Sequence, residues 1–318
     1  MKYTQIPQTD LNPSCICLGT ADFGTKNTEE QAHALADRFV EMGGNFLDTA
    51  RVYSDWVPGE RGRVERVLGD WLEASGVRDS VIVATKGAHP RLQSMQVPRM
   101  SAQEVSGDLE QSLAALRIEC IDLYYLHRDD PGRPVEEIID MLDGFVQAGK
   151  IRYYACSNWS SERIEQACVY ARSKGSRGFV ANQMLWNVGS WRMRPVPDPT
   201  AATLDQQMRE LHRRLPLVAV PWASQAGGFF SKLAARNGQP DESLREGRYG
   251  TEGNRAVYEV LARIAGERQL DIAQVVLRYL LDQDIPTIPI VGCRTLQQLE
   301  SSLSAADVSL EASDIERI

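Results

Sequence analysis

Short apolar or β-branched runs alternate with longer segments whose apolar residues recur every three or four positions, and the alternation continues from one end of the chain to the other. The short runs predict strands at Ser14–Leu18, Asn45–Asp48, Val81–Lys86, Ile121–His127, Ile151–Ser157, Phe179–Asn182, Leu217–Pro221 and Thr287–Ile290. The longer segments predict helices at Thr28–Met42, Arg63–Ser75, Ala102–Leu116, Val135–Ala148, Ser161–Ser173, Ala201–Arg213, Asn254–Gln269 and Leu296–Ala305. One further helix, Ile272–Asp282, lengthens the seventh unit. Ser101 and Ser160 stand immediately before two of these helices, where a hydroxyl accepts a hydrogen bond from an orphan amide of the first turn. Strands that alternate with helices pair in parallel, and eight such units are what a closed (β/α)8 TIM barrel requires. No linker interrupts the series, so residues 1–318 read as one α/β domain.

Two stretches leave the pattern. Gly189–Pro199 carries Trp191, Arg192 and Arg194, and Phe230–Thr251 is polar and punctuated by glycine. Both follow strands, which makes them candidate substrate or cofactor flaps, with mobile surface insertion as the plainer alternative.

Composition narrows the function. With 43% hydrophobic and 25% charged residues the chain has the make-up of a soluble globular protein. A net charge of -8 argues against a phosphate-backbone partner, so nucleic acid is not expected. No apolar stretch is long enough to span a bilayer, and the opening residues Met1–Pro7 lack the apolar core of a signal peptide, so the expected location is the cytoplasm, away from membranes. The six cysteines, Cys15, Cys17, Cys120, Cys156, Cys168 and Cys293, lack CxxC spacing and are expected to be reduced and mostly buried. Cys15 and Cys17, two apart on one predicted strand, are expected to point the same way and to pack rather than bind metal. No metal site is expected.

Four polar residues, Asp48, Tyr53, Lys86 and His127, lie at or just past the C-terminal ends of predicted strands, the rim where barrel chemistry occurs. Each alone has a plainer reading: a turn cap, a packed ring, a solvated cation, a satisfied core histidine. Together, on three successive units and with Tyr53 five residues after Asp48, they make the chain resemble the aldo-keto reductases along essentially its whole length. The resemblance implies reduction of an aldehyde or ketone by hydride from a nicotinamide cofactor, or the reverse oxidation of an alcohol. Carbonyl reduction leaves an alkoxide that must be protonated, and Tyr53 is the acid the family pattern assigns. Lys86 favours the ionised phenol, Asp48 compensates the Lys86 charge, and His127 orients the carbonyl oxygen.

No GxGxxG opens a helix after the first strand, so the common dinucleotide fingerprint is missing. The family instead lays an extended cofactor across the barrel mouth, and the positions that match are Gly19, Thr20, Asp48, Ser157, Asn158, Gln183 and Trp222, with the segment from Gly292 onward. Ser157, Asn158 and Gln183 would hold the carboxamide. Trp222 stands where the family usually stacks a tyrosine on the nicotinamide. The segment Ala223–Phe230, with Ser224 and Gly228, resembles the pyrophosphate-side loop. Gly292–Ser302 resembles the segment around the adenosine 2′-phosphate, with Arg294 as the phosphate partner and Gln298 and Ser302 beside it; that favours NADPH/NADP+ over the alternative, NADH. The chain departs from the family where Ser301 and Ser302 replace its usual Glu and Asn.

The expected partner is a small-molecule carbonyl or alcohol. Asp22, Trp56, His89, Arg128 and Trp159 are candidate substrate residues, with Asp55, Asp129, Trp186 and Trp191 nearby on the rim. Indoles beside polar groups suit a sugar, polyol or keto-glycoside. With the short helical finish Ala312–Arg317, specificity is expected to come from the earlier loops. Nothing in the sequence fixes the oligomeric state. Two other readings of the same barrel are a cofactor-binding redox sensor and a lyase or isomerase using Lys86 as a Schiff-base nucleophile.

Overall fold

The computed structural model describes residues 1–318. Eight parallel strands form one sheet, β1 Cys17–Gly19, β2 Phe46–Asp48, β3 Ile82–Gly87, β4 Ile121–Leu126, β5 Ile151–Ser157, β6 Ala181–Gln183, β7 Val218–Ala219 and β8 Ile290–Val291. They run in the order β7-β6-β5-β4-β3-β2-β1-β8. The two ends of that series meet through a parallel bridge between Ala219 and Thr287, so the sheet closes as a (β/α)8 barrel. Around it lie α1 Glu29–Glu41, α2 Arg63–Ser75, α3 Ala102–Leu116, α4 Val135–Gln147, α5 Ser161–Ser173, α6 Gln206–Arg214, α7 Phe229–Ala234, α8 Glu242–Glu246, α9 Glu252–Arg268, α10 Ile272–Leu281, α11 Leu296–Ser304 and α12 Ala312–Arg317. None is long and apolar enough to cross a membrane.

Ser101 caps α3 in a reciprocal box with Glu104, and Ser160 accepts from the Arg163 amide at the start of α5. Three boundaries differ from those the pattern predicts. Helix α6 begins at Gln206 because the backbone of Ala202 and Leu204 is hydrogen-bonded to Leu185, after which Asp205 caps the helix. The last strand is shortened at Pro289, which lacks an amide hydrogen to give to β1: Thr287 bridges to β7 and Ile290 and Val291 pair with β1, while the Ile290 amide also donates to the Pro221 carbonyl. The segment predicted as the first strand starts by pairing elsewhere, since Ser14 bridges antiparallel to Tyr3. Cys15 therefore packs in the outer core and Cys17 inside the barrel, so the two thiols do not point the same way. All six cysteines are free, with Cys120 and Cys168 only partly buried.

Side chains alternate about the barrel wall. Phe46, Ala84, Leu123, Tyr125 and Ala155 fill the interior, while Leu47, Val83, Tyr124, Leu126 and Cys156 pack outward against the helices. Ile6 and Leu11, from the arm that precedes β1, join the interior core. With Phe46, Ala84, Tyr125 and Ala155 inside, Asp48, Lys86, His127 and Ser157, each two residues further on, share the inward parity and form its uppermost layer. The register sets Asp48 opposite Ala84 and Lys86 opposite Tyr125, so Lys86 and His127 each stand two residues beyond the partner of the preceding site residue, a stagger that goes with the tilt of barrel strands. A one-residue slip of any strand would turn its polar residue out of the site.

The segments Gly189–Pro199 and Phe230–Thr251 are not independent flaps. The second takes in most of α7 and all of α8, whose Phe230, Leu233 and Leu244 join Val188 and Tyr249 in an apolar cluster with α9 and α10, and Met193 of the first packs against it. Arg194 ties them together by donating to the carbonyls of Arg245, Glu246 and Gly250.

Candidate active site

At the C-terminal mouth, Lys86 Nζ lies 2.6 Å from Asp48 Oδ2, 2.7 Å from the Thr49 carbonyl oxygen and 3.0 Å from Tyr53 Oη. Asp48 and Lys86 are almost fully buried, so the ion pair sits in low dielectric and each charge depends on the other. Burial works against the ammonium, yet Asp48 and Tyr53 hold the Lys86 pKa above the ordinary lysine value. Burial also pushes the Tyr53 phenol above its usual value, and Lys86 draws it only part of the way back. The phenol is therefore protonated at neutral pH. The Lys86 ammonium 4.8 Å from its ring centre adds a cation–π contact.

His127 lies edge-on to Tyr53, with ring centres 6.0 Å apart. Burial, then the neighbouring His89, Arg128 and Lys86, drive its pKa well below the usual histidine range, so it is a neutral imidazole. Its Nδ1 is buried without a hydrogen-bond partner. A neutral ring donates through one nitrogen only. The site thus brings together a protonated phenol, a fixed cation and a neutral imidazole, the groups needed to bind a carbonyl oxygen and protonate it.

The backbone around these residues is strained. Ser54, Ala88, Asn158 and Ala223, each within two residues of a candidate site residue, have φ values of 76°, 62°, 61° and 54°. Such conformations cost roughly 1–2 kcal/mol for a residue with a Cβ, and they cluster where structure serves a site.

The candidate cofactor positions surround the same opening. Gly19 is required by packing: a Cβ there would lie 2.7 Å from Ile290 Cγ2. Thr20 donates from both its amide and its hydroxyl to the Asp48 carbonyl, 2.9 and 3.0 Å, and so steadies the Asp48 backbone. Gln183 Nε2 donates to Asp48 Oδ1 at 2.5 Å, which leaves its carbonyl oxygen free to accept. Ser157 Oγ accepts from Asn158 Nδ2 at 2.8 Å and keeps its own hydrogen for another acceptor. Asn158 is largely committed to the protein, donating also to the His127 carbonyl and accepting from the Ala202 amide. Trp222 is half-buried beside them, its Nε1 without a partner.

Ser224 donates to the Ile290 carbonyl, and Gly227 and Gly228 follow in consecutive left-handed conformations. Lys232 Nζ reaches back to the Gly227 carbonyl at 2.9 Å, a cation beside this loop that sequence reading missed. Gly292 has open space around it, and Arg294 is 62% exposed, its guanidinium held only by a 3.7 Å approach to Asp22. Gln298 accepts from the Arg294 amide, and Ser302 is buried between Gln298 and Gln225, so these two shape the loop that presents Arg294. The carboxamide donors and acceptors, the unpartnered indole and the cations Lys232 and Arg294 fit an extended nicotinamide dinucleotide.

The substrate candidates do not all reach the mouth. Trp56 is 50% exposed and edge-on to Tyr53 at 6.1 Å, and His89 packs edge-on against His127 at 4.7 Å. Trp159 is wholly buried against Phe179 and Arg163, and Trp186 is wholly buried beneath Arg209, so neither indole lines an open pocket. Their large apolar rings are worth more in the core beneath the helices than at a wet rim. Arg128 is a brace: it donates to the His127 carbonyl, Thr200 Oγ1 and Asp198. Asp129 is likewise paired with Arg163. Asp22 does not join the tetrad, since its carboxylate meets Lys26 at 2.9 Å and Arg294 at 3.7 Å.

A model of the Aldo/keto reductase family matches residues 15–318, and the chain belongs to that family. It is 28% identical over 316 residues to an uncharacterized oxidoreductase, YrpG, of Bacillus subtilis, covering 98% of this chain and 93% of that one. It is 30% identical over 333 residues to the norsolorinic acid reductase stcV of Emericella nidulans, covering 98% of this chain and 79% of the relative. An aryl-alcohol dehydrogenase [NADP(+)] of Phanerodontia chrysosporium is 29% identical over 329 residues, with 96% and 81% covered. The protein is an oxidoreductase of the class that interconverts carbonyls and alcohols.

Proposed function

We propose that this protein reduces an aromatic aldehyde or ketone with NADPH, or oxidises the corresponding alcohol with NADP+. The observation that carries the reading is Tyr53 Oη held 3.0 Å from a Lys86 ammonium that Asp48 fixes at 2.6 Å. A nicotinamide held across the mouth would supply the hydride chemistry. Tyr53 delivers the proton to the oxygen, Lys86 stabilises the phenolate left behind, and His127 directs the oxygen toward Tyr53. Ser157 and Gln183 would hold the carboxamide, Trp222 would cover the ring, and Lys232 and Arg294 would meet the two phosphate regions.

Arg294 supports NADPH over NADH, in keeping with the NADP(+) in the name of the aryl-alcohol dehydrogenase relative. The names of that relative and of the norsolorinic acid reductases favour an aromatic carbonyl. A sugar substrate loses support, because Trp159 and Trp186 are not available to stack on it. A Schiff-base role for Lys86 is disfavoured by an ammonium that Asp48 keeps charged.

The test is titration of the purified protein with NADPH and with NADH while following tryptophan fluorescence, then assay with benzaldehyde. Saturable quenching at lower NADPH than NADH concentration, with NADPH-dependent formation of benzyl alcohol, is the expected result. Absence of a saturable response to either cofactor, checked by calorimetry, overturns the reading.

A further inference from the structure

Beside the tetrad lies a second hollow that neither the proton-transfer scheme nor the cofactor accounts for. It has a volume of about 480 Å³ and opens between the loops that follow β2 and β3. Arg51, Arg61, Arg91 and Arg99 line it together with Lys86, against only two carboxylates, Asp55 and Asp108. This is a local reversal of charge in a chain whose net charge is -8. Within a narrow polar cleft such an excess raises the local concentration of anions.

The carboxylates are already committed. Asp108 receives two parallel bonds of 3.0 Å from Arg99 and a third from the Ala88 amide. Asp55 receives Arg51 at 3.1 Å and the Gly62 amide at 3.2 Å. Lys86 is held by Asp48. Two guanidiniums are left over: Arg61 stands 3.9 Å from Asp55 and is 72% exposed, and Arg91 is exposed and forms no ion pair. His89 forms the wall between this cleft and the tetrad. It donates from Nδ1 to the Pro90 carbonyl at 2.7 Å, while its ring rests on His127. An oxyanion carried by a substrate that extends from the tetrad past His89 into the cleft would meet Arg61 and Arg91 there.

We propose that the cleft is a specificity subsite for an anionic group, carboxylate or phosphate, on the carbonyl substrate, with Arg61 and Arg91 as its partners. This rests on the carbonyl-reduction reading and names the substrate class more closely. A guanidinium offers two parallel donors that match either oxyanion. Because both arginines are exposed when the cleft is empty, the anion brings desolvation cost to itself rather than to buried partners.

The test compares benzaldehyde, 4-carboxybenzaldehyde and 4-formylphenyl phosphate as substrates with NADPH. The proteins are the wild type, the double variant Arg61→Gln/Arg91→Gln, and Arg172→Gln, which removes one exposed charge from the distant helix α5. The wild type is expected to favour an anionic aldehyde, and the double variant to lose that preference by about ten- to a hundredfold through KM, with kcat retained. The Arg172 variant is expected to keep the preference, and high salt to weaken it in the wild type. The better of the two anionic aldehydes identifies which oxyanion the cleft takes.

Calorimetric titration with 4-(hydroxymethyl)benzoate, which does not react without cofactor, reads the cleft independently of turnover. Equal affinity for the wild type and the double variant overturns the subsite. Weaker binding to the double variant with no reduction of any aldehyde upholds the anion site and overturns the reductase reading. Reduction of benzaldehyde with no anionic preference upholds the reductase reading and overturns the subsite.

Discussion

The two ends of the barrel solve opposite problems. At the N-terminal end Asp122 accepts the Val83 amide at 2.9 Å and pairs with Arg78 at 2.8 Å and Arg152 at 2.6 Å. Ser14 and Asn45 hydrogen-bond each other's backbone, and Ile6 and Leu11 fill the space below. The polar atoms there are saturated by the protein itself. At the C-terminal end His127 Nδ1 and Trp222 Nε1 are buried without partners, and four residues with side chains hold left-handed backbone. One end is closed by satisfied polar groups over an apolar plug; the other keeps bonding capacity for a ligand.

Substitutions at each end should separate activity from stability. The largest effect is expected from Tyr53→Phe, which should lower kcat by about 10²–10⁴-fold while leaving NADPH affinity within a factor of about two, measured by steady-state kinetics and fluorescence titration. Retained turnover would contradict the proton-donor assignment. At the other end, Asp122→Ala removes the shared acceptor of two half-exposed arginines and a buried amide. It should cost about 2–3 kcal/mol in urea unfolding, with kcat/KM unchanged.

The pH dependence sharpens the contrast. His127 is held neutral and Tyr53 protonated, so reductive kcat/KM should show no loss as pH falls through the usual histidine range. It should fall only in strong alkali, where the phenol loses its proton, and a descending limb near pH 6.5 would reassign the proton donor. Glu65 offers a separate pH signature in the outer layer behind β3, where it is wholly buried and accepts from Thr85 at 2.6 Å. Burial raises its pKa from 4.5 to about 7. The folded state then binds the Glu65 proton more tightly than the unfolded chain, so this contribution is intact below pH 4.5 and is lost as pH rises to about 7. Glu65→Gln should be more stable than the wild type by up to about 3 kcal/mol above that pH, and equal to it in acid, as read from urea midpoints. The smallest expected effect is at Ala223, where glycine relieves the left-handed backbone. Ala223→Gly should gain about 0.5 kcal/mol in the same assay, net of the entropy glycine loses on folding.

The two ends were not equally legible. Asp48, Lys86 and His127 were readable because each ends a short apolar run that reads as a strand, and with Tyr53 five residues after Asp48 the four match the family pattern. The serine caps of α3 and α5 were readable for the same local reason. Trp159 and Trp186 were misplaced because nothing near them in the chain tells an indole at the mouth from one beneath a helix. The start of α6 was placed too early because Leu185, far back in the chain, holds the preceding backbone. Arg61, Arg91 and Lys232 gave no signal, since each is an ordinary surface cation until folding sets it beside an opening.

The amino-acid sequence by itself determined the eight alternating units and the placing of chemistry-bearing residues at strand ends, because periodicity is a property of neighbours along the chain. Tertiary structure decided the 3.0 Å approach of Tyr53 to Lys86, the burial that keeps the phenol protonated, the Asp48 carboxylate that keeps Lys86 charged against that burial, and the meeting of two arginine-bearing loops around one cleft. Those depend on closing the barrel between β7 and β8, which fixes distances and dielectric between residues far apart in the chain.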